Sequence, residues 1–257
     1  MTRLGRTAIN QLHRWVETHP NRGLHPGLLL AHGMESWPVK GDSQIKAKLV
    51  ERITNLTPVD LYEPALARWR RATSDKERFA SFEAKLGGRL YIGVTRDHPL
   101  ESGVTTSHSY GVPVIPGSAV KGLTRSAACE LQDQNLLKPD AIVWMFGEGG
   151  DDGEAGGLVF HDAWWVGKDN PFVAEVVTPH HTDYYSSHGK SPATDMDSPI
   201  PAPQIAVRGS FYFVVEGDPA WSRAAAHILR SALDLRGIGA KRNSGYGFFN
   251  PSEKDTR

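Results

Sequence analysis

The segment Ile115–Arg125, IPGSAVKGLTR, has the residue types of an anion-binding helix start. Ser118 is the predicted N-cap, so the backbone N–H groups of Gly117–Val120 are expected to lack helical acceptors. Lys121 and Arg125 then lie one turn apart on one helix face. The lysine precedes its glycine, which excludes a Walker A loop. The segment predicts a contact with one or two phosphates, and a capped helix with solvent-facing cations is the alternative.

A second segment, Leu235–Phe249 (LRGIGAKRNSGYGFF), combines four glycines with basic residues and contains no acid. It is not a dinucleotide fingerprint, because Arg242 stands where the third glycine is required and because the segment follows a predicted helix. A glycine-rich basic loop allows backbone N–H groups to approach an anionic chain closely. Such a contact is the functional interpretation, and a flexible connector is the alternative.

Residues 178–204 contain five prolines and no regular periodicity, which predicts a long functional loop. Its metal-ligand residue types are His180, His181, Asp183, His188, Asp195 and Asp197. Their spacing matches no zinc signature, so we expect no metal and no cofactor. His180 or His181 with Tyr184 or Tyr185 could instead supply acid–base groups for a metal-independent ribonuclease, although no opposing group is apparent.

The composition is that of an ordinary folded protein. The chain has 257 residues, a formal net charge of zero and a single cysteine, which excludes an internal disulfide framework. Basic residues are in surplus in the first hundred positions and acidic residues in the remainder, so one face could still bind a polyanion. No apolar run is long enough to cross a bilayer, and the amino terminus lacks the apolar core of a signal peptide. We expect a cytoplasmic protein.

Periodicity predicts a change from helices to a mixed α and β region near residue 80. Helical spacing occurs at 7–18 and again after Ser43. The predicted strands are 81–94, interrupted by a bulge at Gly87 and Gly88, then 157–166, 205–215 and 245–249, with a short extended run at 172–177. The predicted helices of this region begin at Ser118 and Pro219.

The predicted order from residue 81 is strand, helix, strand, strand, helix, strand. This is the order of a ferredoxin-like split βαβ fold, the topology of RNA-recognition modules, so the expected class is α+β. We predict a helical extension at 1–80, a ferredoxin-like (RRM-like) domain at 81–250 with the inserted loop 178–204, and a tail at 251–257.

IPGSAVKGLTR together with GIGAKRNSGYG resembles the paired signatures of the RAMP superfamily of CRISPR effector subunits. Within that superfamily, the chain resembles the sixth-subunit family of the type III-B (Cmr) complex. The segments that carry this resemblance are YIGVTRDHPLESG, MFG, GLVFHDA, VVTPHHTDYY and DSPIPAP. The resemblance covers roughly residues 80–250.

The resemblance implies a subunit of a complex in which a guide RNA (crRNA) directs the binding of target RNA in antiviral defence. The residues it assigns to guide RNA are Ser118, Lys121, Arg125, Gly239, Lys241, Arg242 and Asn243. The loop 178–204 becomes a projecting thumb, with contacts from His180, His181, Tyr184 and Tyr185. The implied protein partners are a neighbouring RAMP backbone subunit and a small helical subunit, with no membrane.

The resemblance also bears on catalysis. Paralogous backbone subunits that cut RNA use a loop aspartate, and Asp97 in RDHPLESG is the candidate here. The sixth-subunit family is not thought to cut, so the expectation is a binding subunit without catalytic residues. Two alternatives remain open. One is an endoribonuclease that uses Asp97 with a divalent ion or the His180 and His181 pair, and the other is a protein scaffold without RNA contact.

Overall fold

The computed structural model describes most of the chain. The described residues are 11, 14, 18, 24–34, 44–94, 100, 103–149, 153–178, 182–194 and 201–250. Residues 11, 14 and 18 are helical, and the rest of the helix predicted at 7–18 lies outside this set. The described helices are α1 (Pro26–His32), α2 (Gln44–Thr54), α3 (Tyr62–Ala72), α4 (Gly117–Asp133), α5 (Pro139–Phe146), α6 (Thr182–Ser186) and α7 (Pro219–Leu235). The described strands are β1 (Phe79–Leu86), β2 (Val114–Ile115), β3 (Val159–Phe160), β4 (Ala163–Val166), β5 (Phe172–Val177), β6 (Ala202–Val207), β7 (Ser210–Glu216) and β8 (Phe249–Asn250).

Six of these strands form one antiparallel sheet, in the order β2-β4-β7-β1-β8 with β3 also paired to β7. Buried and outward-facing residues alternate along β1, because only one of its faces lies against the core. The central strand β7 is buried at five consecutive positions. Helix α7 lies on β1 and β7 and also packs against α4. The mixed composition and the antiparallel sheet agree with the predicted α+β class.

Aromatic side chains fill the layer between the sheet and α7. The rings of Phe82 on β1 and Phe213 on β7 stack with centroids 5.2 Å apart, and the Phe249 ring meets Phe213 edge-on at 5.6 Å. Leu229 and Leu233 of α7 are fully buried on the same core. Burial of each such side chain contributes about 1.5–3 kcal/mol. This layer fixes the position of the carboxyl end of α7, from which the glycine-rich segment departs.

Helix α3 and Thr73, which follows it, make contacts on the opposite face of the sheet. The Tyr62 hydroxyl donates to the Trp165 carbonyl at 2.5 Å, and Thr73 and Tyr212 hydrogen-bond through their hydroxyls at 2.9 Å. Arg70 also pairs with Glu83 of β1. Residues before position 80 therefore complete the packing of the sheet, and the division of the chain at residue 80 stays a prediction.

The single strand predicted at 205–215 is wrong, because the chain forms two strands there. β6 pairs with β5 in a separate two-stranded antiparallel sheet, whereas β7 lies in the main sheet. Gly209 separates them at φ +111°, a conformation that L side chains rarely adopt. The alternating pattern fits either arrangement, so it could not reveal the break.

The end of the predicted loop at residue 204 is also wrong. β6 begins at Ala202, and Pro203 lies opposite Val176 in the register of the two strands. Proline is tolerated on an edge strand, where its missing N–H faces away from the partner. Strands β5 and β6 and the residues that join them form a hairpin, called the arm below, and the described part of the connection contains α6.

The strand predicted to resume at 90–94 is reduced to two isolated bridges. Leu90 bridges Val207 of β6, and Tyr91 bridges Ala240 of the glycine-rich segment. The chain leaves the main sheet after Leu86 and links two other regions, so it adds no further strand. Tyr91 is thereby held against the glycine-rich segment.

Candidate nucleic-acid interface

The segment 237–247, called the glycine-rich loop below, turns four times through left-handed backbone. Gly237, Gly239, Gly245 and Gly247 have φ values of +66°, +90°, +85° and +81°. Between the glycine pairs, Arg242–Ser244 form one turn of 3-10 helix. Lys241 also has positive φ, at 58°, which is uncommon for a residue with a side chain. Glycine is required at these turns, and this requirement explains the spacing seen in the sequence.

Backbone hydrogen bonds hold both ends of the loop. The Ile238 N–H donates to the Gly247 carbonyl at 2.9 Å, and the Ala240 N–H donates to the Tyr91 carbonyl at 2.8 Å. A methyl group at position 247 would overlap the Ile238 carbonyl, and one at 239 would overlap the Tyr91 carbonyl. Open space surrounds Gly245. The loop is therefore pinned at its base and open at its tip, which argues against a flexible connector.

The tip of the loop presents polar and cationic groups to solvent. Arg242 and Asn243 are exposed, and Lys241 is partly buried. The Lys241 ammonium lies 5.0 Å from the centre of the Tyr91 ring, an arrangement that stabilises a cation. The loop therefore offers one exposed guanidinium, one amide and one ammonium that is fixed in position.

The Tyr91 ring, over which the Lys241 ammonium lies, packs against Tyr246. Their ring centroids are 4.7 Å apart, and Tyr91 is 1% exposed. Burial, with a smaller effect of Tyr246, raises the pKa of Tyr91 to about 12, so its hydroxyl stays neutral at physiological pH. Burial lowers the pKa of Lys241 below its usual 10.5. Neither tyrosine was singled out from the sequence as a site residue, since their contact depends on a bridge between distant segments.

The predicted array of free N–H groups at the start of α4 is wrong. The N-cap is Pro116, two residues before the predicted N-cap Ser118, and the helix begins at Gly117. The Gly117 N–H donates to Asp162 Oδ1 at 2.7 Å, and the N–H groups of Ala119 and Val120 donate to the Pro116 carbonyl. Three of the four predicted donors are therefore engaged. Asp162 could not be recognised from the sequence, because it lies far along the chain.

The charged face of α4 remains available to a ligand. Ser118 and Arg125 are exposed and Lys121 is partly buried. Among the described residues, no hydrogen bond or ion pair joins Lys121 or Arg125 to Lys241 or Arg242. This face therefore presents two cationic side chains, Lys121 and Arg125, but no set of free N–H groups.

Arg236 connects α4 to the glycine-rich loop. Its guanidinium donates to the Ser126 hydroxyl at 3.1 Å and pairs with Glu130, both on α4. The middle of α4 is thus within one arginine length of the residue that opens the loop. Arg236 itself serves this packing contact and is not counted among the cations available to a ligand.

The arm presents aromatic side chains to solvent. Tyr185 is 71% exposed and Tyr184 is 40% exposed, and their rings meet edge-on with centroids 5.4 Å apart. Helix α2 packs against both β5 and β6 at the base of the arm. His180 and His181 lie outside the described residues, as does Asp97.

No group of three His, Cys, Asp or Glu side chains that could hold a metal occurs in the part of the chain that the structure describes. Of the six residues weighed as metal ligands, His180, His181, Asp195 and Asp197 are outside that part. Within the same described ranges, no helix is long and apolar enough to cross a membrane.

Comparison with known proteins identifies related sequences. The Cmr6 subunit of the CRISPR system of Pyrococcus furiosus is 27% identical, with 63% of this chain and 65% of that protein covered. The Cmr6 subunit of Saccharolobus solfataricus is also 27% identical, with 69% and 60% covered. The chain thus matches less than two thirds of the length of either relative.

A solved structure has the same fold over nearly the whole chain. It is a chain of the cryo-EM structure of the type III-B Cmr-beta complex bound to cognate target RNA, with a TM-score of 0.70 and 17% identity. The similarity covers 96% of this chain and 97% of that one. The sequence model of the RAMP superfamily matches residues 83–250, which include α4, the arm and the glycine-rich loop. The chain belongs to the RAMP superfamily, as its paired signatures predicted, and it is similar to the Cmr6 subunits of type III-B CRISPR systems.

Proposed function

We propose that this chain is a non-catalytic RNA-binding subunit of a cytoplasmic type III-B CRISPR (Cmr) effector complex. In this proposal the glycine-rich loop holds the backbone of the guide RNA. The observation that carries the proposal is the geometry of that loop, in which Arg242 and Asn243 project from a pinned turn and Lys241 is fixed over Tyr91.

The loop suits phosphates better than bases. Lysine and arginine contacts to phosphate depend on charge and position and carry no base information. A pinned loop loses little conformational entropy on binding, which favours a firm contact with an irregular single strand. Partial burial of Lys241 weakens its hydration, so less solvation is lost when a phosphate approaches.

Helix α4 provides a second, weaker contact in this proposal. Lys121, Arg125 and Ser118 bind phosphate through their side chains, because the N–H groups at the helix start are engaged. The Arg236 contacts keep α4 beside the loop. A single RNA strand that follows both elements explains why the two motifs occur together in the sequence.

We interpret the core as ferredoxin-like. With β3 and β4 taken as one interrupted strand, the core strands in chain order are β1, β3/β4, β7 and β8, and their spatial order is β4-β7-β1-β8. Antiparallel pairing in this order, with α4 and α7 as the connecting helices, is the arrangement of a split βαβ. Strand β2 and the arm are additions to it.

The arm is proposed to act as the thumb, with contacts from Tyr184, Tyr185, His180 and His181. Exposed aromatic rings stack on bases without regard to sequence, which suits a surface that separates segments of guide and target duplex. A neighbouring RAMP backbone subunit and the small helical subunit of the complex are the proposed protein partners.

Site-specific photo-cross-linking tests the proposal. A benzoyl-phenylalanine placed at Asn243 is expected to cross-link guide RNA in the complex reconstituted with its other subunits. The same group at the exposed Arg68 of α3 is the control and is expected to give no RNA adduct. An equal yield at both positions, or none at 243, would remove the loop from the RNA site.

The non-catalytic assignment has its own test. Asp97→Ala and His181→Ala should leave target-RNA cleavage by the whole assembly nearly unchanged. Loss of cleavage in either variant, with assembly intact by size-exclusion chromatography, would favour the endoribonuclease alternative. The scaffold alternative instead predicts that no RNA adduct forms at any position of this chain.

A further inference from the structure

Within the part of the chain that the structure describes, one edge of strand β1 is largely unpaired. It pairs with β7 along 79–85 on one side, whereas on the other side β8 pairs only with Lys85 and Leu86. No described strand lies beside Phe79–Ala84 on that second side. At about 3.4 Å per residue, the five positions from Phe79 to Glu83 present roughly 17 Å of strand edge.

The register shows which backbone groups face this edge. The Leu86 N–H donates to Gly209, and the Arg78 carbonyl accepts from Gly217. Hydrogen-bonded pairs alternate along an antiparallel ladder, so the even-numbered residues of β1 bond to β7. Ser81 therefore directs both its N–H and its carbonyl toward the open edge.

A basic cleft runs along the same edge. It has a volume of about 410 Å³, and its walls are residues 79–82 of β1, residues of α7, and Thr73, Ser74 and Lys76. Its titratable lining residues are Lys76, Arg223, His227 and Arg230, and none of the described residues that line it is Asp or Glu. The Arg230 guanidinium lies over the Phe82 ring, 4.5 Å from its centre.

We infer that this edge binds an extended acidic segment of a partner protein by strand addition. The segment pairs its backbone with Ser81 and its neighbours, and every second side chain points toward α7. Carboxylates at those alternate positions meet Lys76 and Arg223. A nucleic acid matches the charge of the cleft but lacks the alternating donors and acceptors that the strand edge requires.

A peptide probe tests the backbone requirement. Acetyl-Thr-Glu-Thr-Glu-Thr-Glu-Thr-amide is expected to bind the full chain, and the same peptide with Lys in place of Glu is expected not to bind. Two further versions carry N-methyl groups on one or the other alternating set of amides. Strand addition uses only one set of N–H groups, so one version should lose about tenfold in affinity and the other should bind normally.

Matched protein variants test the site. Ser81→Pro removes the N–H that faces the edge and leaves the β7 ladder intact, and it should weaken peptide binding about tenfold relative to Ser81→Thr. Lys76→Glu with Arg223→Glu should have an effect of similar size, whereas Arg68→Glu outside the cleft should change affinity less than about twofold. Thermal melting of each variant identifies any loss of folding, and the N-methyl comparison needs no variant at all.

Three results would overturn the inference. The first is equal binding of the two N-methyl versions, which would indicate charge attraction without strand pairing. The second is binding of single-stranded RNA that Arg223→Glu weakens and Ser81→Pro does not. The third is peptide binding by a chain truncated after Asn250 but not by the full chain. That result would identify residues 251–257 as the occupant of the edge. Lys241→Ala with Arg242→Ala should leave peptide binding unchanged, so this test is independent of the proposed guide-RNA contact.

Discussion

The glycine-rich loop and the start of α4 have similar sequence features that predict phosphate binding, but their structures differ. Both combine glycine with two cations, and the helix start adds a favourable dipole. In the loop, the backbone is pinned at its base and Arg242 and Asn243 project into solvent. At the helix start, the Asp162 carboxylate and the Pro116 carbonyl engage the N–H groups that a phosphate would need. A positive helix end is an anion site only when the rest of the fold leaves its donors unoccupied.

The largest expected effect comes from Gly247→Ala. The added methyl group would overlap the Ile238 carbonyl, so the loop must open at its base, and the left-handed backbone costs about 1–2 kcal/mol in addition. We expect loss of measurable RNA binding and a clearly lower melting temperature. Gly245→Ala is the matched control, because its φ is similar and its surroundings are open. It should cost only the backbone strain, and equal effects of the two changes would show that the base of the loop is not under steric constraint.

A smaller effect is expected from Asp162→Ala, which frees the N–H of Gly117 at the helix start. Loss of a capping hydrogen bond should lower the free energy of unfolding by about 1 kcal/mol. RNA affinity should stay the same, because the helix contributes through side chains. Asp162→Asn keeps an acceptor oxygen and serves as the control in chemical denaturation. A gain in RNA affinity for Asp162→Ala alone would show that the helix end is a latent phosphate site.

The smallest effect concerns pH. Burial lowers the pKa of Lys241, so the positive charge on this residue is lost as pH rises through a value below 10.5. Affinity for a 2′-O-methyl RNA, which resists alkaline hydrolysis, should therefore begin to fall at a lower pH than an ordinary lysine would dictate. Lys241→Arg keeps the charge and should remove this part of the decline. Identical pH profiles for the two proteins would mean that Lys241 does not contact the RNA.

The local sequence pattern predicted the features of the glycine-rich loop better than the contacts that surround the loop. Glycine spacing and the absence of acids near Lys241 indicated a glycine-rich basic loop, and the structure has positive φ at all four glycines. The close approach of its N–H groups to an anionic chain stays a prediction. The aromatic ring under Lys241 belongs to Tyr91, which a bridge to Ala240 brings from a distant segment. The capping role of Asp162 likewise depends on pairing between β2 and β4, which no local signal encodes.

The same limit explains the errors in the strands. Alternation at 205–215 fits one strand or two, and only the partners of β6 and β7 separate them. The prolines near residue 203 suggested a loop, whereas an edge strand accepts them. The class of the fold follows from periodicity, but the arm as a hairpin depends on pairing between segments that are far apart in sequence.

The salt dependence of RNA binding tests most directly whether the loop is the main phosphate contact. We expect a slope of roughly −2 to −3 for log K against the logarithm of the salt concentration, because about three or four phosphates are contacted. The contacting residues are Lys121, Arg125, Lys241 and Arg242. Lys241→Ala with Arg242→Ala should reduce affinity for every sequence and flatten that slope by about one unit, and Lys121→Ala with Arg125→Ala should change it less. An unchanged slope in the loop variant, or a larger change in the helix variant, would contradict the central role of the glycine-rich loop.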